Sequence, residues 1–148
     1  MSIDRADWHY GGNFPKDLKP ENGGTHIGFY LSWIILNDLI GELHREGSVE
    51  SLNKVKNRKM TGRDFLFKEC DEKFTNEDLN EVGQKFTSFY YTDKKTATYY
   101  DDLEKAFPKY PSLYHIEDTW ENYEKIAKHI DQAFKKWSTP KKPWWKIL

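Results

Sequence analysis

An all-α fold, a single domain of about five helices with a loop-rich N-terminal arm, is what this sequence predicts. Three observations carry it. Apolar residues recur at helical spacing in several separate segments, no stretch alternates long enough to suggest a strand, and Gly and Pro crowd the first 24 residues.

The arm, residues 1–24, contains Gly11-Gly12, Pro15, Pro20 and Gly23-Gly24, turn formers that exclude a long regular element. Trp8, Tyr10 and Phe14 are its expected anchors on the body. Over residues 25–45, Phe29, Trp33, Leu36, Ile40 and Leu43 form one stripe, widened by Ile27, Leu31, Ile34 and Ile35. That pattern predicts one long central helix, capped by Thr25 and stopped at Gly47. Gly28 and Ser32 leave room for a close neighbour. Residues 48–57 are weakly periodic and read as a short helix or structured loop.

Thr61-Gly62-Arg63-Asp64 and Thr75-Asn76-Glu77-Asp78 both fit a capping box and are expected to open helices. The first would bury Phe65, Leu66 and Cys70; the second would place Leu79, Val82, Phe86 and Phe89 on one face. Ala97, Tyr100, Leu103 and Phe107 predict a short helix ended by Pro108 and Pro111. Trp120, Tyr123, Ala127, Ile130, Phe134 and Trp137 predict the last helix, over residues 118–137, with acids at its start and Lys135-Lys136 at its end matching the dipole. The helices at 25–45 and 118–137 should form the core.

The composition supports a folded chain. Charged residues make up 32% and mean hydropathy is −0.90, but six Trp, nine Tyr and nine Phe supply the apolar surface that disordered chains lack. With 23 Lys+Arg against 24 Asp+Glu, the net charge of −1 provides no global attraction for nucleic acid or an anionic membrane. A lone cysteine and a start without a basic or apolar leader point to the cytoplasm.

No sequence motif assigns a catalytic residue. The histidines at 9, 26, 44, 115 and 129 include no His-x-x-x-His pair, and there is no Cys-x-x-Cys. His9, His26 and His115 lie at loop-to-helix junctions near Asp7, Glu117 and Asp118, where they could assemble a metal or anion site across the fold. The simpler expectation is hydrogen bonding to backbone or carboxylates, with no metal and no cofactor. Gly23-Gly24-Thr25-His26 lacks the lysine step of a phosphate loop. Cys70 has Glu69, Asp71 and Glu72 beside it, which oppose thiolate formation.

Charge clustering is more specific. Glu69, Asp71, Glu72, Glu77, Asp78 and Glu81 face only Lys73 in sequence, and Asp101, Asp102 and Glu104 form a second acidic group. With exposed members of Tyr90, Tyr91, Tyr99 and Tyr100 as anchors, these residues are the expected surface for a basic protein partner. From Ser138 the chain should be non-helical. Lys135, Lys136, Lys141, Lys142 and Lys146 surround Trp137, Trp144 and Trp145, a pattern that suits nucleic acid, though tryptophans folded back on the body are the stronger expectation.

Four strings, Ala6-Asp7-Trp8-His9-Tyr10-Gly11-Gly12, Gly23-Gly24-Thr25-His26-Ile27-Gly28, Cys70-Asp71 with Asp78-Leu79-Asn80, and His115-Ile116-Glu117-Asp118-Thr119-Trp120-Glu121-Asn122-Tyr123, together resemble an uncharacterised family of small helical bacterial domains. Some members of that family look like the immunity proteins encoded beside polymorphic toxins of contact-dependent or type VI secretion systems. The resemblance implies a small helical protein that binds and neutralises a cognate toxin; it carries over no catalytic residue. A metal-dependent or anion-binding enzyme at the three histidines is the alternative, and a nucleic-acid-binding accessory protein a second.

Overall fold

The computed structural model describes residues 2–140 and shows a mainly α-helical single domain. Helix α1 (Thr25–Leu36) runs through the middle, with every residue from Thr25 to Ile35 buried. A helix apolar around its whole circumference must be enclosed on all sides. Around it lie α2 (Glu42–Gly47), α3 (Val49–Lys56), α4 (Gly62–Glu69), α5 (Glu81–Thr87), α6 (Tyr99–Ala106) and α7 (Trp120–Ser138).

The closest approach is between α1 and α4. A Cβ on Gly28 would lie 2.3 Å from the Arg63 nitrogen, and one on Gly62 would lie 2.0 Å from the Gly28 carbonyl oxygen. The close neighbour foreshadowed by Gly28 and Ser32 is therefore α4, packed backbone to backbone. Helix α7 keeps the face its spacing predicted: Tyr123, Ala127 and Ile130 are buried, Trp120, Phe134 and Trp137 half-buried, and Lys125, Lys128 and Gln132 exposed. Thr119 caps it by accepting from the Asn122 amide at 3.1 Å, and Trp33 ties α1 to it by donating to Asp131 at 2.8 Å.

Three elements depart from the expectation. The helix at 25–45 breaks after Leu36: the Asn37 side chain donates to the Trp33 carbonyl at 2.8 Å, Asp38 turns left-handed at φ 57°, and Ile40 bridges to Leu79 instead. Leu43 consequently sits on a separate helix and is 58% exposed. Thr25 does not cap α1; Gly24 holds that position, and the Thr25 hydroxyl accepts from Arg63 at 3.0 Å. The capping box at Thr75 and Asp78 is present, but it closes a 3₁₀ turn. Helix α5 starts later, capped by Asn80, whose side chain accepts from the Gly83 amide at 2.8 Å, and this rotates Val82 into solvent.

The arm is mostly turns, with one short strand. Residues Ser2–Arg5 (β1) pair antiparallel with Lys73–Thr75 (β2), with Asp4 opposite Phe74 and an irregularity between Ser2 and Asp4. A 3₁₀ turn at Ala6–His9 follows, and another at Pro20–Gly24 leads into α1. Tyr10 anchors the arm by donating to Glu72 at 2.8 Å, and Phe14 packs on Tyr114. Trp8 does not anchor it: the indole is 58% exposed, with the Arg5 guanidinium over its ring. Among the described residues no helix is long and apolar enough to cross a membrane. The tail residues Lys141, Lys142, Trp144, Trp145 and Lys146 lie outside the described residues; Trp137 packs against Phe86 and Phe134.

Candidate functional site

The arm meets the helical body at one buried carboxylate. Strand β1 carries Asp4 inward, and four further elements send a polar side chain toward it. The 3₁₀ turn Ala6–His9 supplies His9, the first turn of α1 supplies His26, a π-helical turn at Ser88–Thr92 supplies Tyr91, and the start of α6 supplies Tyr100. Asp4 Oδ1 accepts from His9 Nε2 at 2.8 Å and from the Arg5 amide at 2.8 Å. Asp4 Oδ2 accepts from the hydroxyls of Tyr91 at 2.5 Å and Tyr100 at 2.8 Å, and from His26 Nε2 at 3.2 Å.

Burial alone would raise the Asp4 carboxyl, but the hydrogen bonds from His26, His9 and Tyr91 reverse that and hold it far below the ordinary carboxylate range. Burial pushes the His26 imidazole below its ordinary value against the pull of Asp4. His26 is therefore neutral, with its proton on Nε2 toward Asp4 and a bare Nδ1 that has no hydrogen-bond partner among the described residues. Burial and the Asp4 charge raise Tyr91 and Tyr100, which keeps both phenols protonated as donors.

Beyond His9 the chain of contacts reaches Tyr114, on the 3₁₀ turn Leu113–His115, whose hydroxyl lies 2.7 Å from His9 Nδ1. Tyr114, His9 and Asp4 thus form a hydroxyl–imidazole–carboxylate series. Burial, then the Asp4 charge, raises the Tyr114 phenol, which leaves it a donor to His9.

Of the three junction histidines, the structure brings two together: the rings of His9 and His26 meet edge to face at 4.6 Å. His115 is turned away, bonded through Nδ1 to Ser112 at 2.7 Å and through Nε2 to Asp17 at 3.2 Å. Each histidine thus reaches a carboxylate, but the metal or anion site imagined across all three loses His115. Asp4, His9 and His26 do offer three donor atoms within 4.8 Å of one another. The same atoms close a hydrogen-bond network that needs no added cation. Asp4 and Tyr114 had no marker in the sequence, since a four-residue strand and a three-residue turn leave no periodicity to read.

The expected partner surface is divided by the fold. Asp71, Glu77, Glu81 and Asp101 are exposed, although Asp71 lies 3.4 Å from Lys73 and Glu81 lies 3.1 Å from Lys85. Glu69 accepts from Ser48 and Ser51, Glu72 from Tyr10 and Asp102 from Tyr90, so these three carboxylates face inward. Asp78, Tyr90, Tyr91 and Tyr99 are buried and leave the accessible set. The rings of Tyr90, Tyr91 and Tyr99 pack tilted or edge-on against Tyr30, and Tyr91 stacks on Tyr99.

Tyr100 remains 38% exposed and borders a surface groove of about 420 Å³ that continues along Phe107, Tyr110, Leu113 and Ile116. The exposed Glu104 also lines this groove, with the exposed Asp101 on the same helix. The groove and the Asp4 centre therefore share Tyr100, which lines the groove and donates its hydroxyl to Asp4.

One family model, described as "Domain of unknown function (DUF7832)", matches residues 2–116. The matched span holds the whole Asp4 centre, including Tyr114, and ends before α7. No curated protein and no solved structure matches the chain.

Proposed function

We propose that this chain, which belongs to the DUF7832 family of domains of unknown function, is a cytoplasmic immunity protein that binds and neutralises a cognate bacterial toxin domain. The observation that carries the reading is the groove beside α6: an aromatic and aliphatic lining from Tyr100 to Ile116, joined by the acid Glu104 and neighboured by Asp101. Tight protein recognition uses a few desolvated anchors ringed by complementary charge. A basic partner side chain would lay its aliphatic stem on the rings and its charge against these acids.

The Asp4 centre supports this reading by what it does for the groove. Five donors on one carboxylate fix Tyr100, the arm and the 3₁₀ turns in one arrangement, and a pre-ordered surface binds with less entropy loss than a mobile one. The metal-dependent enzyme is the second reading, and the donor atoms of Asp4, His9 and His26, within 4.8 Å of one another, are what favours it. Calorimetric titration of the purified chain with the product of each adjacent gene of the source genome, as an isolated domain, tests the first. A one-to-one complex that weakens in Asp101→Lys/Glu104→Lys is expected. Undiminished binding by that double variant would place the contact elsewhere.

A further inference from the structure

We propose that His44, Cys70 and Asp78 bind a divalent transition-metal ion of the zinc class. The three residues come from separate parts of the fold: His44 from α2, Cys70 from the residue that follows α4, and Asp78 from the 3₁₀ turn Asn76–Asp78. They offer one nitrogen, one sulfur and one oxygen, all within 4.8 Å of one another. His44 and Asp78 are buried, and Cys70 is half-buried.

The hydrogens around His44 are one too few for its neighbours. The Ser48 hydroxyl donates to Glu69 Oε2 at 3.0 Å, which uses its only proton. His44 Nδ1, 3.0 Å from that same hydroxyl oxygen, must then be the donor. A neutral imidazole has one N–H, so Nε2 is left as a lone pair. That lone pair faces Asp78 Oδ1 at 2.6 Å, and Asp78 Oδ2 already accepts from the Thr75 amide at 2.7 Å. Two acceptors at this distance need a cation between them. It is either one more proton, carried by the ring, Asp78 or Glu69, or a metal ion.

Cys70 favours the metal. Its sulfur lies 3.7 Å from His44 Nε2, close to the separation of about 3.6 Å that a tetrahedral zinc imposes on a nitrogen and a sulfur ligand. Asp78 Oδ1 would draw back to about 3.3 Å from Nε2 to share the ion. A thiolate, an imidazole and a carboxylate suit zinc or cobalt and disfavour magnesium or calcium. The remaining contacts match a metal-bound histidine, whose other ring N–H points to a group that fixes the ring: here Ser48, itself held by Glu69, which also accepts from Ser51 at 2.9 Å. The contrast with Asp4 is direct, because there every donor has an acceptor without any ion. Sequence spacing conceals the site, since Cys70 and Asp78 stand 26 and 34 residues from His44.

Cobalt(II) titration of the full, untagged chain decides the matter. The chain holds one cysteine, so a thiolate-to-cobalt charge-transfer band reports this site alone. The expected result is one cobalt per chain with that band present, displaced by zinc. Cys70→Ser should lose the band while keeping its helical circular dichroism. Glu69→Gln, which leaves all three donors in place, should weaken cobalt binding about 10- to 100-fold. A wild-type chain that shows no charge-transfer band, or a band that survives in Cys70→Ser, would overturn the proposal and leave a proton in the place of the ion.

Discussion

The Tyr91 hydroxyl and the Asp4 carboxylate, 87 residues apart in sequence, meet at 2.5 Å and join the arm to the interior of the bundle. Removing the carboxylate would strand the donors of His9, His26, Tyr91 and Tyr100 in a buried space. Breaking a buried charged network from one side costs about 3–5 kcal/mol, so Asp4→Ala should lose stability of that order in urea denaturation. Tyr114→Phe deletes one half-exposed hydrogen bond to His9 and should cost only about 0.5–1.5 kcal/mol. Equal losses in the two variants would mean that Asp4 is not the hub.

The same centre sets a pH dependence. His26 takes a proton less readily in the folded chain than its ordinary value of about 6.5. As pH falls through that value the unfolded chain binds the proton and gains, so stability should decline from pH 7 toward pH 5. Asp4 is also held below its ordinary value; its contribution is complete above about pH 4 and is lost as pH falls further. Unfolding free energy measured against pH should show both declines, and His26→Gln should flatten the upper one. A wild-type profile level between pH 7 and 5 would contradict a neutral buried His26.

Helix α4 can approach α1 only because both crossing residues lack a side chain. Gly28→Ala would drive a methyl group against the Arg63 backbone, which cannot yield as a flexible side chain does, and should cost about 3 kcal/mol, the upper end of ordinary overpacking. Gly47→Ala meets open space and should stay within about 0.5 kcal/mol of the parent. Thermal denaturation of the pair checks this.

Ile130 illustrates what the sequence made legible. Its place in a long regular spacing fixed both its helix and its face, and it is fully buried; Ile130→Ala should cost about 2–5 kcal/mol in chemical denaturation. Leu43 illustrates the opposite. It continued the apolar stripe of α1, but a left-handed Asp38 and the bridge from Ile40 to Leu79 ended the helix early, and such tertiary contacts leave no mark in periodicity. The candidate sites follow the same division. The acidic groups at 69–81 and 101–104 were readable as composition, but only the fold distinguishes Asp101, turned to solvent, from Asp102, turned to Tyr90. Asp4 and His44 gather their partners from distant segments, beyond the reach of any local motif.

The proposed role is tested most directly by protection in cells. The chain is co-expressed with whichever product of an adjacent gene kills the host when expressed alone, and survival is counted against a matched Asp101→Lys/Glu104→Lys variant whose helical content is verified; an adjacent gene set with no such product would also contradict the reading. Full survival with the wild type and a large loss with the double variant are expected, because reversing the acidic charge opposes a basic partner at the α6 groove. Death of the cells despite abundant wild-type chain would contradict the immunity reading itself.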